Sequence, residues 1–147
     1  MILTKMQPSH IEGVKALLDE CFGSGAWSAE SIAAELDKST SYCAVAVDEG
    51  KVVGYIAFEK ILDEGSITEL AVSSEHRRKG VGRKLVELML TSVAGVKTVC
   101  LEVRASNAPA TALYKAMGFR EISVRRGYYD SPKEDAVIMI CEPSPQG

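Results

Sequence analysis

Aromatic side chains, histidine, paired cysteine and long apolar runs are all scarce in this chain of 147 residues. Aromatics are 6% of it, with one Trp, and there are two His. His10 and His76 stand alone. The four cysteines, Cys21, Cys43, Cys100 and Cys141, lie far apart with no C-x-x-C pair. That spacing excludes the usual zinc and redox frameworks, so no metal is expected. Buried free thiols point to a reducing compartment. No stretch reaches the length that spans a bilayer, and the first residues lack the apolar run of a signal peptide. A cytoplasmic protein without membrane contact is the expectation. Net charge is −3, so no global basic field recruits nucleic acid.

What is present is ordinary globular composition, 46% apolar and 25% charged, enough to build one core. One domain is expected over 1–142, with a disordered tail over 143–147. The patterning reads as mixed α/β. Ile2–Met6 is a strand. Ile11, Val14, Leu17, Leu18 and Cys21 make one helical stripe. Ser28 is placed to cap a second helix from Ala29 to about Leu36. Strands follow at Tyr42–Val47, Val52–Glu59 and Ser66–Val72, with Asp63-Glu64-Gly65 as the last turn. A helix runs from about Gly80 to Thr91, and a strand from Thr98 to Val103. A helix from about Ala108 to Met117 and strands Phe119–Val124 and Asp135–Cys141 complete the order βααβββαβαββ. A single mixed, mostly antiparallel sheet of about seven strands with flanking helices is expected.

The charge is uneven. Arg77, Arg78, Lys79, Arg83 and Lys84 fall within eight residues, around Gly80, Val81 and Gly82. This segment joins a predicted strand to a predicted helix. Early helical N–H groups lack intrahelical acceptors and face an anion favourably. The glycines admit phosphate oxygens close to the backbone. A local cationic loop on an acidic chain suits a small polyphosphate rather than a duplex. No Gly-Lys-Ser/Thr follows, which excludes a Walker loop, and the G-x-G spacing is not a Rossmann fingerprint.

A second constellation follows the strand Leu101-Glu102-Val103-Arg104. Asn107 is suited to cap the next helix, Leu113 and Met117 face the core with Tyr114 at the edge of that stripe, and Gly118 closes the helix. The string Asn107-x-x-Ala110-x-x-Leu113-Tyr114-x-x-x-Gly118-Phe119, after Arg77-x-x-Gly80-x-Gly82, resembles the GCN5-related N-acetyltransferase (GNAT) superfamily over nearly the whole chain. Within it the chain is most similar to the bacterial ribosomal-protein-alanine N-acetyltransferase (RimI) type. Trp27-Ser28, Leu101-Glu102-Val103-Arg104 and Tyr128-Tyr129-x-x-Pro132-x-Glu134-Asp135-Ala136 carry that likeness.

The resemblance implies direct transfer from acetyl-CoA to an amine, with the N-terminal alanine of a small-subunit ribosomal protein as acceptor. It implies the GNAT fold, in which the strand matching Ser66–Val72 bulges and splays from its neighbour. It implies Glu102 as base and Tyr114 as acid. Backbone groups of Leu70, Ala71 and Val72 would hold the pantetheine arm, with the Val72 N–H as oxyanion donor. Residues Arg77 to Arg83 and Asn107 would bind the rest of the cofactor. Each has a plainer reading from the residues themselves. Glu102 could be an ion-pair partner, Tyr114 a packed aromatic and Asn107 only a cap. Glu69 could face the amine or sit in solvent at a strand edge. Tyr128 and Tyr129 could line a peptide groove or form a solvent-side pair. Trp27 reads more readily as core than as substrate contact. A small-amine acceptor and a CoA-binding module without turnover stay open as functions. No direct nucleic-acid contact is implied, and a monomer or weak dimer fits.

Overall fold

A computed structural model describes residues 1–130 and 132–143. Apart from Pro143, the expected tail lies outside the described residues. The elements are β1 (Ile2–Lys5), α1 (Ile11–Phe22), α2 (Ala29–Asp37), β2 (Ser41–Asp48), β3 (Lys51–Ile61), β4 (Glu64–Val72), α3 (Val81–Ser92), β5 (Thr98–Arg104), α4 (Ala108–Ala116), β6 (Arg120–Asp130) and β7 (Lys133–Cys141). The strands form one seven-stranded sheet in the order β1-β2-β3-β4-β5-β7-β6. All pairings are antiparallel except β4 with β5. This is the mixed α/β sheet the periodicity predicts. No described helix is long and apolar enough to cross a membrane.

Two apolar clusters cover the two sheet faces. One joins Val14, Leu17 and Leu18 of α1 and Ile32 of α2 to Val45, Tyr55 and Ala57. The other joins Val81, Leu85, Val86 and Met89 of α3 and Tyr114 of α4 to Ile56, Phe58, Leu101 and Met139. Strand alternation divides the side chains between them. Apolar burial on both faces is what stabilises so thin a layer.

Three expectations need correction. The turn before β4 is Leu62-Asp63, not Asp63-Glu64-Gly65, because Ile61 already pairs with Glu64. Gly65 is a strand residue covered by the Phe58 ring, and a Cβ there would collide with Phe58 Cζ. Second, β6 runs on to Asp130. It is an edge strand exposed along most of its length, so no apolar alternation marks its second half. Third, Tyr114 is the buried residue of α4, and Leu113 and Met117 are only half-buried.

Candidate functional site

The sheet opens where β4 meets β5. Their pairing ends at Ile67 with Leu101. Immediately beyond, Thr68 is an extra residue in β4: Phe58 pairs with Ile67 and Ala57 with Glu69. This β-bulge bends β4 and ends the ladder. Thr68 Oγ1 donates to the Ala57 carbonyl at 3.2 Å, holding the bulge against β3. The gap continues into an open cavity of about 620 Å³ whose lining includes Glu69, Leu70, Glu102, Asn107, Tyr114 and Tyr129.

Strand geometry assigns the backbone. The Ser73 N–H donates to the Val53 carbonyl across β3 at 2.9 Å. Alternation then turns the Leu70 and Val72 N–H groups away from β3, toward the gap. Ala71 faces the other way, its N–H toward β3 and its side chain in the α1–α2 core. Of the three backbone positions expected to hold the arm, Leu70 and Val72 turn their N–H groups there, that of Leu70 shared with the Glu69 carboxyl, and Ala71 does not.

Two carboxylates flank the gap. Glu69 pairs across the ladder with Ala57, placing both side chains on the α1–α2 face. Burial pushes its carboxyl up to about 7, partly offset by a hydrogen bond from the Leu70 N–H. Glu102 is the first β5 residue past the last β4 pairing, and it alternates with buried Leu101 and Val103. It therefore lies on the same face as Glu69. It is exposed, with Oε1 3.4 Å from Arg125 Nη1. The Tyr128 hydroxyl donates to it, which holds that phenol above its usual range.

Tyr114 approaches from the opposite face, 6% exposed, its ring edge-on to Phe119 at 5.5 Å. Burial, with the charges of Glu69 and Tyr129 adding, pushes its phenol still further above neutral pH, where any phenol is already protonated. Across the gap the β6–β7 hairpin brings Tyr128 and Tyr129 into the lining. Its bulge between Arg125 and Tyr129 turns the strand there, with the Gly127 N–H donating to Asp135 Oδ1 at 2.8 Å. The Arg104 guanidinium lies 4.3 Å from the Tyr129 ring centroid. Glu134 accepts from the Ser106 N–H at 3.1 Å and from Arg104, anchoring the turn that ends in Asn107. Asn107 caps α4, its Oδ1 accepting from the Ala110 N–H at 3.2 Å.

The basic loop closes one end of the gap. Arg78 and Gly80 both adopt left-handed backbone, with φ of 64° and 79°. Gly80 is the N-cap of α3, so the N–H groups of Val81, Gly82 and Arg83 lack intrahelical acceptors. Arg77 is turned inward, Nε 3.2 Å from the Val72 carbonyl. Arg83 pairs with Glu87 at 3.1 Å. Arg78 and Lys79 form no ion pair among the described residues. A Cβ on Gly82 would lie 3.5–3.9 Å from Leu113, Val72 and Leu70, at the inner wall of the gap. Unpaired cations, free N–H groups and an adjoining slot with backbone donors fit a pyrophosphate bearing a long polar arm.

The sequence model of the acetyltransferase (GNAT) family matches residues 11–119. The chain belongs to this family. Among curated relatives it is 43% identical, over 94 residues, to the ribosomal protein bS18-alanine N-acetyltransferase of Escherichia coli strain K12. That match covers 61% of the chain and 64% of the relative, so the chain spans less than two thirds of it. An N-alpha-acetyltransferase of Sulfurisphaera tokodaii is 36% identical over 112 residues, 66% of each. The crystal structure of the Escherichia coli ribosomal-protein-alanine N-acetyltransferase superposes with a TM-score of 0.86 at 30% identity, covering 99% of this chain and 96% of that one.

Trp27 is not core. It is 38% exposed and lines a second, smaller cavity with Leu18, Ile32, Tyr55 and Glu69. Residue patterning missed this cavity and the Arg125 partner of Glu102, and the family resemblance supplied the bulge in β4 without its place at Thr68. Arg125 sits three residues before Tyr128, yet nothing local says that a bulge brings both onto Glu102.

Proposed function

We propose that the chain is an acetyl-CoA-dependent N-alpha-acetyltransferase whose acceptor is a protein N-terminus, the terminal alanine of a small-subunit ribosomal protein. Relatives that bear such names support the acceptor class. The observation that carries the reading is the two-sided gap: two carboxylates on one face of the sheet, a protonated phenol on the other, and an anion-binding loop at its end.

When bound, acetyl-CoA supplies the activated acetyl group. Arg78, Lys79 and the free N–H groups at the start of α3 would hold its pyrophosphate, helped by Asn107. Leu70 would steady the arm. The remaining chemistry belongs to side chains and backbone at the gap. An α-ammonium has a pKa of about 8, so it must lose a proton before attack. Glu102 takes that proton, directly or through water. The Val72 N–H donates to the carbonyl oxygen as negative charge develops there. Tyr114, protonated at neutral pH like any phenol, gives its proton to the departing sulfur. Tyr128 orients Glu102 through its hydroxyl, and Tyr129 walls the acceptor groove.

The test is turnover with acetyl-CoA and a short peptide beginning Ala-Arg. Glu102→Gln and Tyr114→Phe should each lower kcat by about 100-fold or more, with acetyl-CoA affinity retained. A double variant at the wild-type rate contradicts the mechanism.

A further inference from the structure

One hydrogen-bonded chain of side chains has no part in the chemistry at the gap. Ser73, directly after β4, is a buried polar residue, 3% exposed. Its Oγ lies 2.7 Å from His76 Nδ1, and His76 Nε2 lies 3.0 Å from Asp48 Oδ2. In the neutral ring the Nε2 proton goes to the Asp48 carboxylate and the Ser73 hydroxyl donates to Nδ1. Serine, histidine and aspartate in this order match a hydrolytic relay. Ser73 is closed to substrate, however, and lines neither of the two cavities. The chain of bonds therefore holds a shape rather than arming a nucleophile.

Both ends of this chain of bonds are fixed to the sheet. Asp48 is the last residue of β2 and pairs with Lys51. The tight turn between them has Glu49 and Gly50 in left-handed backbone, with φ of 49° and 77°. Ser73 is tied to β3 by its N–H bond to the Val53 carbonyl. His76 ends the single 3-10 turn Ser74–His76, immediately before Arg77. A second tether acts on the same turn, where Glu20 Oε2 of α1 accepts from the Ser74 N–H at 2.9 Å. Two residues past His76 stands Arg78, a bulky residue in left-handed backbone. Such a conformation persists only where its surroundings over-determine it. His76 fixes the entry to this strained stretch, and Gly80, as N-cap of α3, fixes its exit.

We propose that His76 is a positioning residue for the cofactor loop. Held by Asp48 and Ser73, it keeps Arg78, Lys79 and the free N–H groups of α3 in their anion-binding arrangement before acetyl-CoA arrives. The loop is then already ordered in the free chain, and binding does not have to order it. His76 acts through the backbone, not by contact with the cofactor. The proposal rests on the reading of this loop as the acetyl-CoA site.

The experiment measures the acetyl-CoA Kd of the full chain by calorimetry and its association and dissociation rates by surface plasmon resonance. His76→Phe keeps a ring and removes both bonds, and Asp48→Ala removes one of them. His76→Phe should raise Kd by about tenfold, the order expected for a lost hydrogen bond to a charged group. Asp48→Ala should raise it by less, because the Ser73 bond remains. The double variant should be no worse than His76→Phe, since the two residues act as one unit. The whole rise should appear in the association rate, because only the fraction of chain with a formed loop binds. At saturating acetyl-CoA, kcat and the KM for an Ala-Arg peptide should stay within about twofold of wild type. Thermal melts check that each variant is folded at the assay temperature. Should His76→Phe not fold, Asp48→Ala carries the test, its side chain being 38% exposed. Wild-type affinity in the folded variants, a rise confined to the dissociation rate, or a fall in kcat that matches the loss of affinity overturns the positioning role. Each of these leaves the acetyl-CoA reading standing. A wild-type chain that does not bind acetyl-CoA overturns that reading, and the role of His76 falls with it.

Discussion

At the scale of single residues, burial of Glu69 carries a cost in stability. Its carboxyl is raised from 4.5 to about 7 by burial. A carboxyl that is harder to ionise in the folded state binds its proton more tightly there than in the unfolded chain. Folding is therefore unaffected below about pH 4.5, loses stability as pH rises toward 7, and keeps the full loss above it. The loss is on the order of 3 kcal/mol for a shift of this size. Glu69→Gln should raise Tm at pH 8, leave it nearly unchanged at pH 4.5, and flatten the slope between. Thermal melts across that range check this, and equal Tm shifts at both ends would contradict it. Tyr114 is raised in the same direction by burial, and in the proposed mechanism it gives its proton to the departing sulfur. A residue-by-residue reading named Glu69, Glu102 and Tyr114, but it could not rank their environments. Exposure of Glu102, burial of Tyr114 and isolation of Glu69 all come from partners distant in sequence.

At the scale of elements, the site is made by interruptions. β4 stops pairing because Thr68 bulges, and α3 begins at a left-handed Gly80 whose loop leaves three N–H groups unused. Reversing charge at Arg78 (Arg78→Glu) should raise the acetyl-CoA KM by about tenfold or more, with the peptide KM little changed. Gly82→Val should act likewise, because its branched side chain would grow from the inner wall of the gap between Leu113, Val72 and Leu70. Steady-state kinetics with each substrate varied in turn would show it. A rise confined to the peptide KM would contradict the assignment of the loop. α2 depends on Ser28, whose Oγ accepts from the Ser31 N–H at 3.0 Å. Ser28→Ala should cost about 1 kcal/mol, measurable by denaturant unfolding. The helix caps at Ser28 and Asn107 were legible because capping is local chemistry. The bulge at Thr68 was not legible from residue pattern, since a polar β-branched residue in a strand carries no local mark of an unpaired position. Only the family resemblance supplied it.

At the scale of the whole molecule, the sheet works as a partition with one opening. Helices α3 and α4 pack one face and bring the basic loop and Tyr114. Helices α1 and α2 pack the other and bring the small cavity, while β5 and β6–β7 supply Glu102 and the tyrosine pair. The element order was readable from hydrophobic period and turn residues alone, because both faces of the sheet bury apolar side chains. The length of β6 was not, because an exposed edge strand is held by its backbone ladder to β7. The cavity walled by Trp27, Ile32 and Tyr55 joins residues from a loop, α2 and β3, which no local pattern records. Under the proposed function the two substrates would enter from opposite faces and meet at the gap. The most direct measurement is intact mass of a peptide beginning Ala-Arg after incubation with acetyl-CoA and the chain. The account predicts one added acetyl group, located at the α-amine, formed catalytically and lost with Glu102→Gln. Acetylation of a lysine side chain or a free small amine in its place, with the α-amine untouched, would contradict it.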